Sequence, residues 1–132
     1  MAQTVLIVDD DPTQRRLLQA AVSRQGFDME IAKGSKDAIA FMQSDKAGTV
    51  DLMLLDLVMP GLDGFEVLSQ VKSRHPNLPI VVLTAQSGIE IIVKVMQAGA
   101  ADFIPKPVSP ERLLVSMENA LKMNALSGQV SR

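Results

Sequence analysis

The sequence has no cysteine, no tryptophan and no tyrosine, and its 132 residues carry a formal net charge of only -2. Without cysteine there are no disulfides and no thiolate metal sites. Without Trp and Tyr there are few platforms on which a nucleotide, a flavin or a single strand could stack. No basic excess points to a nucleic-acid surface. The opening "MAQTVLIVDDD" lacks a basic n-region, and its apolar run is too short for a signal peptide or a membrane span. These absences predict a cytoplasmic chain that itself contacts neither nucleic acid nor membrane.

What is present is a well-supplied core. Hydrophobic residues make up 47% of a chain of single-domain length, enough to bury a sizeable interior. Apolar clusters alternate with segments of helical period. Val5–Val8 predicts a strand, and Asp11 before Pro12 an N-cap, opening a helix to about Gln25 with Gly26 as its stop. A short strand near Met29–Ala32 precedes a helix around Ser35–Ser44. Asp51–Asp56 is a buried strand, Gly64–Arg74 a helix and Ile80–Thr84 another strand. Gly88–Gln97 is a helix ended by Gly99, and Asp102–Ile104 is a short strand. Ser109-Pro110-Glu111 opens the last helix. Continuous rather than alternating apolar strands mark a parallel sheet covered on both faces. The expectation is a doubly wound α/β fold with ligands at the carboxyl ends of the strands. One domain is expected over residues 1–122, with 123–132 as the end of the last helix and the start of a linker at the polar "SGQVSR".

Just past the strands come Asp9 and Asp10, then Asp56, Thr84 and Lys106. Singly each has an ordinary explanation: an acidic turn, a strand-end turn, a helix cap, a solvated lysine. Together, on successive strand ends, they assemble a chemistry. Three carboxylates without imidazole or thiolate are hard oxygen ligands suited to Mg²⁺. Such a cation offsets the repulsion between Asp9 and Asp10. A carboxylate beside it can act as nucleophile toward phosphorus, while the cation, Lys106 and Thr84 each take one equatorial oxygen. His75, the only histidine, sits in "SRHPNLP" and is expected to be an exposed helix-end residue without a role. The eight methionines read as core filler.

The segments "VLIVDDD", "DLMLLDLVMPGLDG", "IVVLTAQS" and "GAADFIPKPVSPERLL" resemble the receiver domain of bacterial two-component response regulators. The resemblance implies a flavodoxin-like five-stranded sheet of order 2-1-3-4-5. It implies Asp56 as phosphoacceptor, and Asp9, Asp10, Asp56 and the Val58 carbonyl around Mg²⁺, for which Mn²⁺ can substitute. Thr84 and Lys106 would contact the phosphoryl group, with Thr84 and Phe103 as the switch pair, and the Lys106–Pro107 bond would be cis. Val58 and Gln86 would flank the path of the hydrolytic water. "DFIPKPVSPERLL" is similar to receivers placed ahead of AAA+ transcription activators. The implied function is a phosphorylatable switch that takes its phosphoryl group from a sensor histidine kinase or phosphotransfer protein, turns over no separate substrate, and regulates an output such as transcription.

Three other readings compete. A haloacid-dehalogenase-type phosphatase needs a second acid two residues after its nucleophile, where this chain has Val58. A flavodoxin-like electron carrier needs a phosphate loop after the first strand, where "DDDPTQ" would repel phosphate. An unphosphorylated docking module would typically lack one of the acidic, Thr or Lys positions, and none is missing. Finally, "GIEIIVKVMQAG" is apolar nearly all round. Taking Ile89, Ile92, Val93 and Met96 as the buried stripe, and Leu114, Met117 and Leu121 as that of the last helix, leaves Ile91 and Val95 facing outward. They are expected to form a homodimer interface through the fourth helix, fifth strand and fifth helix.

Overall fold

The computed structural model describes residues 3–57, 64–85 and 88–130, with 124–130 as helical backbone. The elements run β1 (Thr4–Val8), α1 (Pro12–Arg24), β2 (Asp28–Ala32), α2 (Ser35–Met42), a 3-10 turn (Asp45–Thr49), β3 (Leu52–Asp56), α3 (Gly64–Arg74), β4 (Ile80–Thr84), α4 (Ile89–Gln97), β5 (Asp102–Pro105) and α5 (Pro110–Val130). All strand pairs are parallel, in the order β2-β1-β3-β4-β5. This is the expected doubly wound, flavodoxin-like arrangement.

Alternation along each strand builds two apolar layers. Leu6, Val8, Met53, Leu55, Ile80 and Val82 pack under α2, α3 and α4. Val5, Ile7, Leu52, Leu54, Val81, Leu83 and Ile104 pack against α1 and α5. Both faces are covered, so the central strands are apolar between their end residues, and each large aliphatic side chain removed from water contributes about 2 kcal/mol before entropy is counted. Helix ends follow their local signals. Asp11 accepts the Thr13 N–H at 3.0 Å ahead of Pro12. Ser109 accepts the Arg112 N–H at 3.1 Å. After α4 the chain turns at Gly99 with φ +108°, a left-handed conformation that favours glycine.

Several expectations are corrected. In α4 the buried stripe is Ile91, Val95 and Ala98, with Val95 fully inaccessible, whereas Ile89 is 78% exposed and Val93 and Met96 also face outward. Val95 is therefore a core residue rather than an interface residue, and Ile91 is half-buried against the same core. Two apolar stripes overlap on this helix, and its rotation is set by its exit. The Ala100 N–H bonds to the Val95 carbonyl as the chain turns into β5, seating the Val95–Ala98–Ala100 side on the sheet. In α5 the buried residues are Leu113, Ser116, Met117 and Ala120, while Leu114 and Leu121 are half-buried. The backbone of α5 is helical through Val130. His75 is half-buried, and its Nε2 lies 2.9 Å from the Met42 carbonyl, which ties the end of α3 to the end of α2.

Candidate functional site at the carboxyl edge of the sheet

Parallel strands bring their carboxyl ends to one edge, so residues far apart in sequence meet there. β1 ends into Asp9 and Asp10, β3 ends at Asp56, and β4 ends at Thr84. β5 runs into Lys106, whose N–H bonds to the Thr84 carbonyl at 2.9 Å. Asp9, Asp56 and Thr84 are buried, while Asp10 and Lys106 are half-buried. Each of the three aspartates offers a carboxylate oxygen, and these oxygens lie within 4.8 Å of one another. The Lys106 ammonium stands 3.1 Å from Asp56 Oδ1. Val58 and Gln86 lie outside the described residues.

Three close carboxylates against one ammonium leave excess negative charge in a poorly solvated place. Asp9 registers the cost. Burial pushes its carboxyl from 3.8 up to about 6, the Asp11 N–H bond opposes the rise, and the Asp56 charge adds to it. Asp9 Oδ1 accepts the Asp11 N–H at 2.9 Å. Its Oδ2 is buried with no hydrogen-bond partner among the described residues. A buried, unbonded carboxylate oxygen beside two more carboxylates is costly alone and well suited to a hard cation. The residues present therefore fit the divalent ion that their chemistry implies.

Two supports were not legible in the sequence. Arg15, one turn into α1, donates from Nη1 to the Asp9 carbonyl at 3.0 Å and braces the acidic loop. Gly64 closes the connection after Asp56. Its N–H reaches the Leu57 carbonyl at 3.0 Å, and a Cβ there would lie 2.5 Å from that same oxygen. The Lys106–Pro107 bond is cis, as the resemblance implies.

The description of a response regulator receiver domain matches residues 5–118. The chain belongs to the response regulator receiver family. It is 38% identical over 122 residues to the response regulator MprA of Mycolicibacterium vanbaalenii, covering 92% of this chain and 52% of that protein. It is 39% identical over 118 residues to MprA of Mycobacterium avium, covering 89% and 50%. The chain thus spans about half the length of the curated relatives it matches. Among solved structures, a CheY-like receiver domain protein from Methanospirillum hungatei superposes with a TM-score of 0.89 at 26% identity, over 96% of this chain and 99% of that one. NtrX from Brucella abortus superposes with a TM-score of 0.89 at 34% identity, over 99% of this chain and 29% of that one. As a receiver domain the chain is a two-component signalling module. No helix of the described residues is long and apolar enough to cross a membrane.

Proposed function

We propose that Asp56 is the phosphoacceptor of this receiver, taking a phosphoryl group from a phosphohistidine on a sensor kinase or phosphotransfer protein. The observation that carries the reading is the Lys106 ammonium 3.1 Å from a buried Asp56 that shares its pocket with two further carboxylates. An Asp56 carboxylate oxygen attacks phosphorus and forms an O–P bond. The P–N bond of the donor breaks, and the departing imidazole takes up a proton. Lys106 offers its ammonium to an equatorial phosphoryl oxygen, and Thr84 offers its hydroxyl to another. Asp9, Asp10 and Asp56, with the Val58 carbonyl implied by the family, would hold Mg²⁺ or Mn²⁺, which when bound neutralises charge on the transferring group. The chain would then modify itself and act on no separate substrate.

The output surface in this reading is the face built by α4, β5 and α5, with Phe103 half-buried on β5. Ile89, Val93 and Met96 on α4 and Val115 on α5 are exposed there. They would form a two-fold contact whose strength changes with phosphorylation, passing the signal to a further output that regulates transcription. The test of the acceptor is mass spectrometry after treatment with acetyl phosphate. A single phosphoryl adduct on Asp56 is expected, dependent on Mg²⁺ or Mn²⁺ and absent from Asp56→Ala. An adduct that survives the substitution or a chelator refutes the assignment.

A further inference from the structure

β5 is the edge strand of the sheet and has only four residues, yet it delivers Lys106 to the site. One side is held by the ladder to β4, which ends with the Lys106 N–H on the Thr84 carbonyl. Alternation along the strand turns the N–H and C=O of Phe103 toward the open edge, where such groups would normally meet water or another strand. Here they meet side chains instead. Asp102 Oδ1 accepts the Phe103 N–H at 2.8 Å, and Arg112 Nη2 lies 3.4 Å from the Phe103 carbonyl. The two side chains close on each other, with Arg112 Nη1 at 3.3 Å from Asp102 Oδ2. Beneath them the fully buried Ser116 hydroxyl donates to the same Oδ2 at 2.6 Å. Pro105, the next outward-facing residue, has no N–H to satisfy.

The result is a clamp that fastens the outer edge of β5 to α5. Burial acts to raise the Asp102 carboxyl, and the bonds from Ser116, Phe103 and Arg112 more than offset it, so its pKa lies below the usual value. The carboxylate is thus held charged, as the ion pair requires. The clamp grips the strand at Asp102 and Phe103, four and three residues before Lys106. Between them the chain is one short extended run, so a shift of the strand at this point carries through to the ammonium.

We propose that Arg112 and Ser116 are positioning residues for Lys106. Acting through Asp102, they fix the free edge of β5 and so the placement of the ammonium against Asp56. This rests on Asp56 being the phosphoacceptor. Neither residue touches the reacting atoms, and nothing in composition or strand pattern marks them. The role separates from general stability because it must act through one named group.

The experiment is a pair of double-mutant cycles on the rate of Asp56 labelling by acetyl phosphate at saturating Mg²⁺, with Asp56→Ala as control. Arg112→Gln, at an exposed position, and Ser116→Ala are each combined with Lys106→Ala. Loosening a charge-stabilising group at this range is expected to slow labelling by about tenfold in the parent for each. In the Lys106→Ala background the same substitutions should change the rate less than about twofold, because the group they place is gone. Arg112→Lys should recover part of the rate, since one charge-assisted bond to Asp102 survives. Unchanged labelling in the single variants, or the same fold loss in both backgrounds, overturns the positioning role alone. Labelling that persists in Asp56→Ala overturns the phosphoacceptor reading and the positioning role with it.

Discussion

Asp56 ends β3 and Lys106 follows β5, two strands that are not paired, yet Lys106 Nζ and Asp56 Oδ1 are 3.1 Å apart across the end of β4. The lysine is the one cation paired within the acidic pocket among the described residues. It partly neutralises the three carboxylates, and it stands where an anionic group arriving at Asp56 would place its oxygens.

The two duties predict opposite effects of Lys106→Ala. Removing a positive charge from beside the carboxylates strengthens the attraction for Mg²⁺, so its dissociation constant should fall. Removing the donor to the phosphoryl oxygens should slow labelling by acetyl phosphate about tenfold or more. Calorimetric titration with Mg²⁺ and a mass-spectrometric time course on one preparation read both. A weaker Mg²⁺ site in the variant would contradict the charge argument.

Asp9 predicts a pH signature in metal-free protein. Its folded-state value of about 6 lies above 3.8, so the folded state holds a proton that the unfolded chain has lost between these values. Stability from Asp9 is therefore complete below pH 3.8 and is lost as pH rises through 6. Asp9→Asn removes this dependence. By urea unfolding, the variant should gain on the parent as pH rises from 4 to 6.5, reaching about 2 kcal/mol once solvent screening reduces the full value of the shift. Saturating Mg²⁺, which binds the carboxylate form, should narrow the gap. A difference that does not vary with pH would refute the assignment.

Gly64 predicts a local failure. A methyl group there meets the Leu57 carbonyl oxygen at 2.5 Å and its Cα at 2.6 Å, both backbone atoms that cannot swing aside. Gly64→Ala must therefore part the bond that closes the connection following Asp56. A loss on the order of 2 kcal/mol or more is expected in urea unfolding, together with slower labelling of Asp56. Gly88→Ala, where a Cβ would meet nothing within 4 Å, is the matched control and should stay within about 0.5 kcal/mol of the parent.

The strands and the site were legible for the same physical reason. A strand buried on both faces must be apolar throughout, so the first polar residue after each run marks its carboxyl end. In a parallel sheet those ends share one edge, which gathered Asp9, Asp10, Asp56, Thr84 and Lys106 without any knowledge of contacts. What escaped depends on rotation and on non-local partners. The stripes of α4 are equally well spaced, and only the exit through Gly99 and Ala100 selects one. The Asp102 clamp needs a strand edge and two residues one turn apart on the next helix. The bond from His75 to the Met42 carbonyl joins residues 33 apart in sequence.

The rotation of α4 yields the sharpest test of the output face, because its two apolar stripes should respond to the same substitution in different ways. Val95 is fully buried against the core, and Ile91 packs beside it. A carboxylate at Val95 would be buried in an apolar cluster, so Val95→Asp should cost about 3 kcal/mol or more, on the order expected for a buried charge. Ile89 and Val93 face outward, and Ile89→Asp or Val93→Asp should leave urea stability within about 0.5 kcal/mol. If that face is the two-fold contact, each introduced carboxylate meets its own symmetry mate or apolar surface, and association should weaken at least tenfold. Sedimentation with and without beryllofluoride measures this, and the comparison must use the outward residues because Val95→Asp would abolish association merely by unfolding the chain. A monomer at high micromolar concentration in both states, unaltered by Ile89→Asp and Val93→Asp, would leave the exposed α4 stripe without a role in self-association.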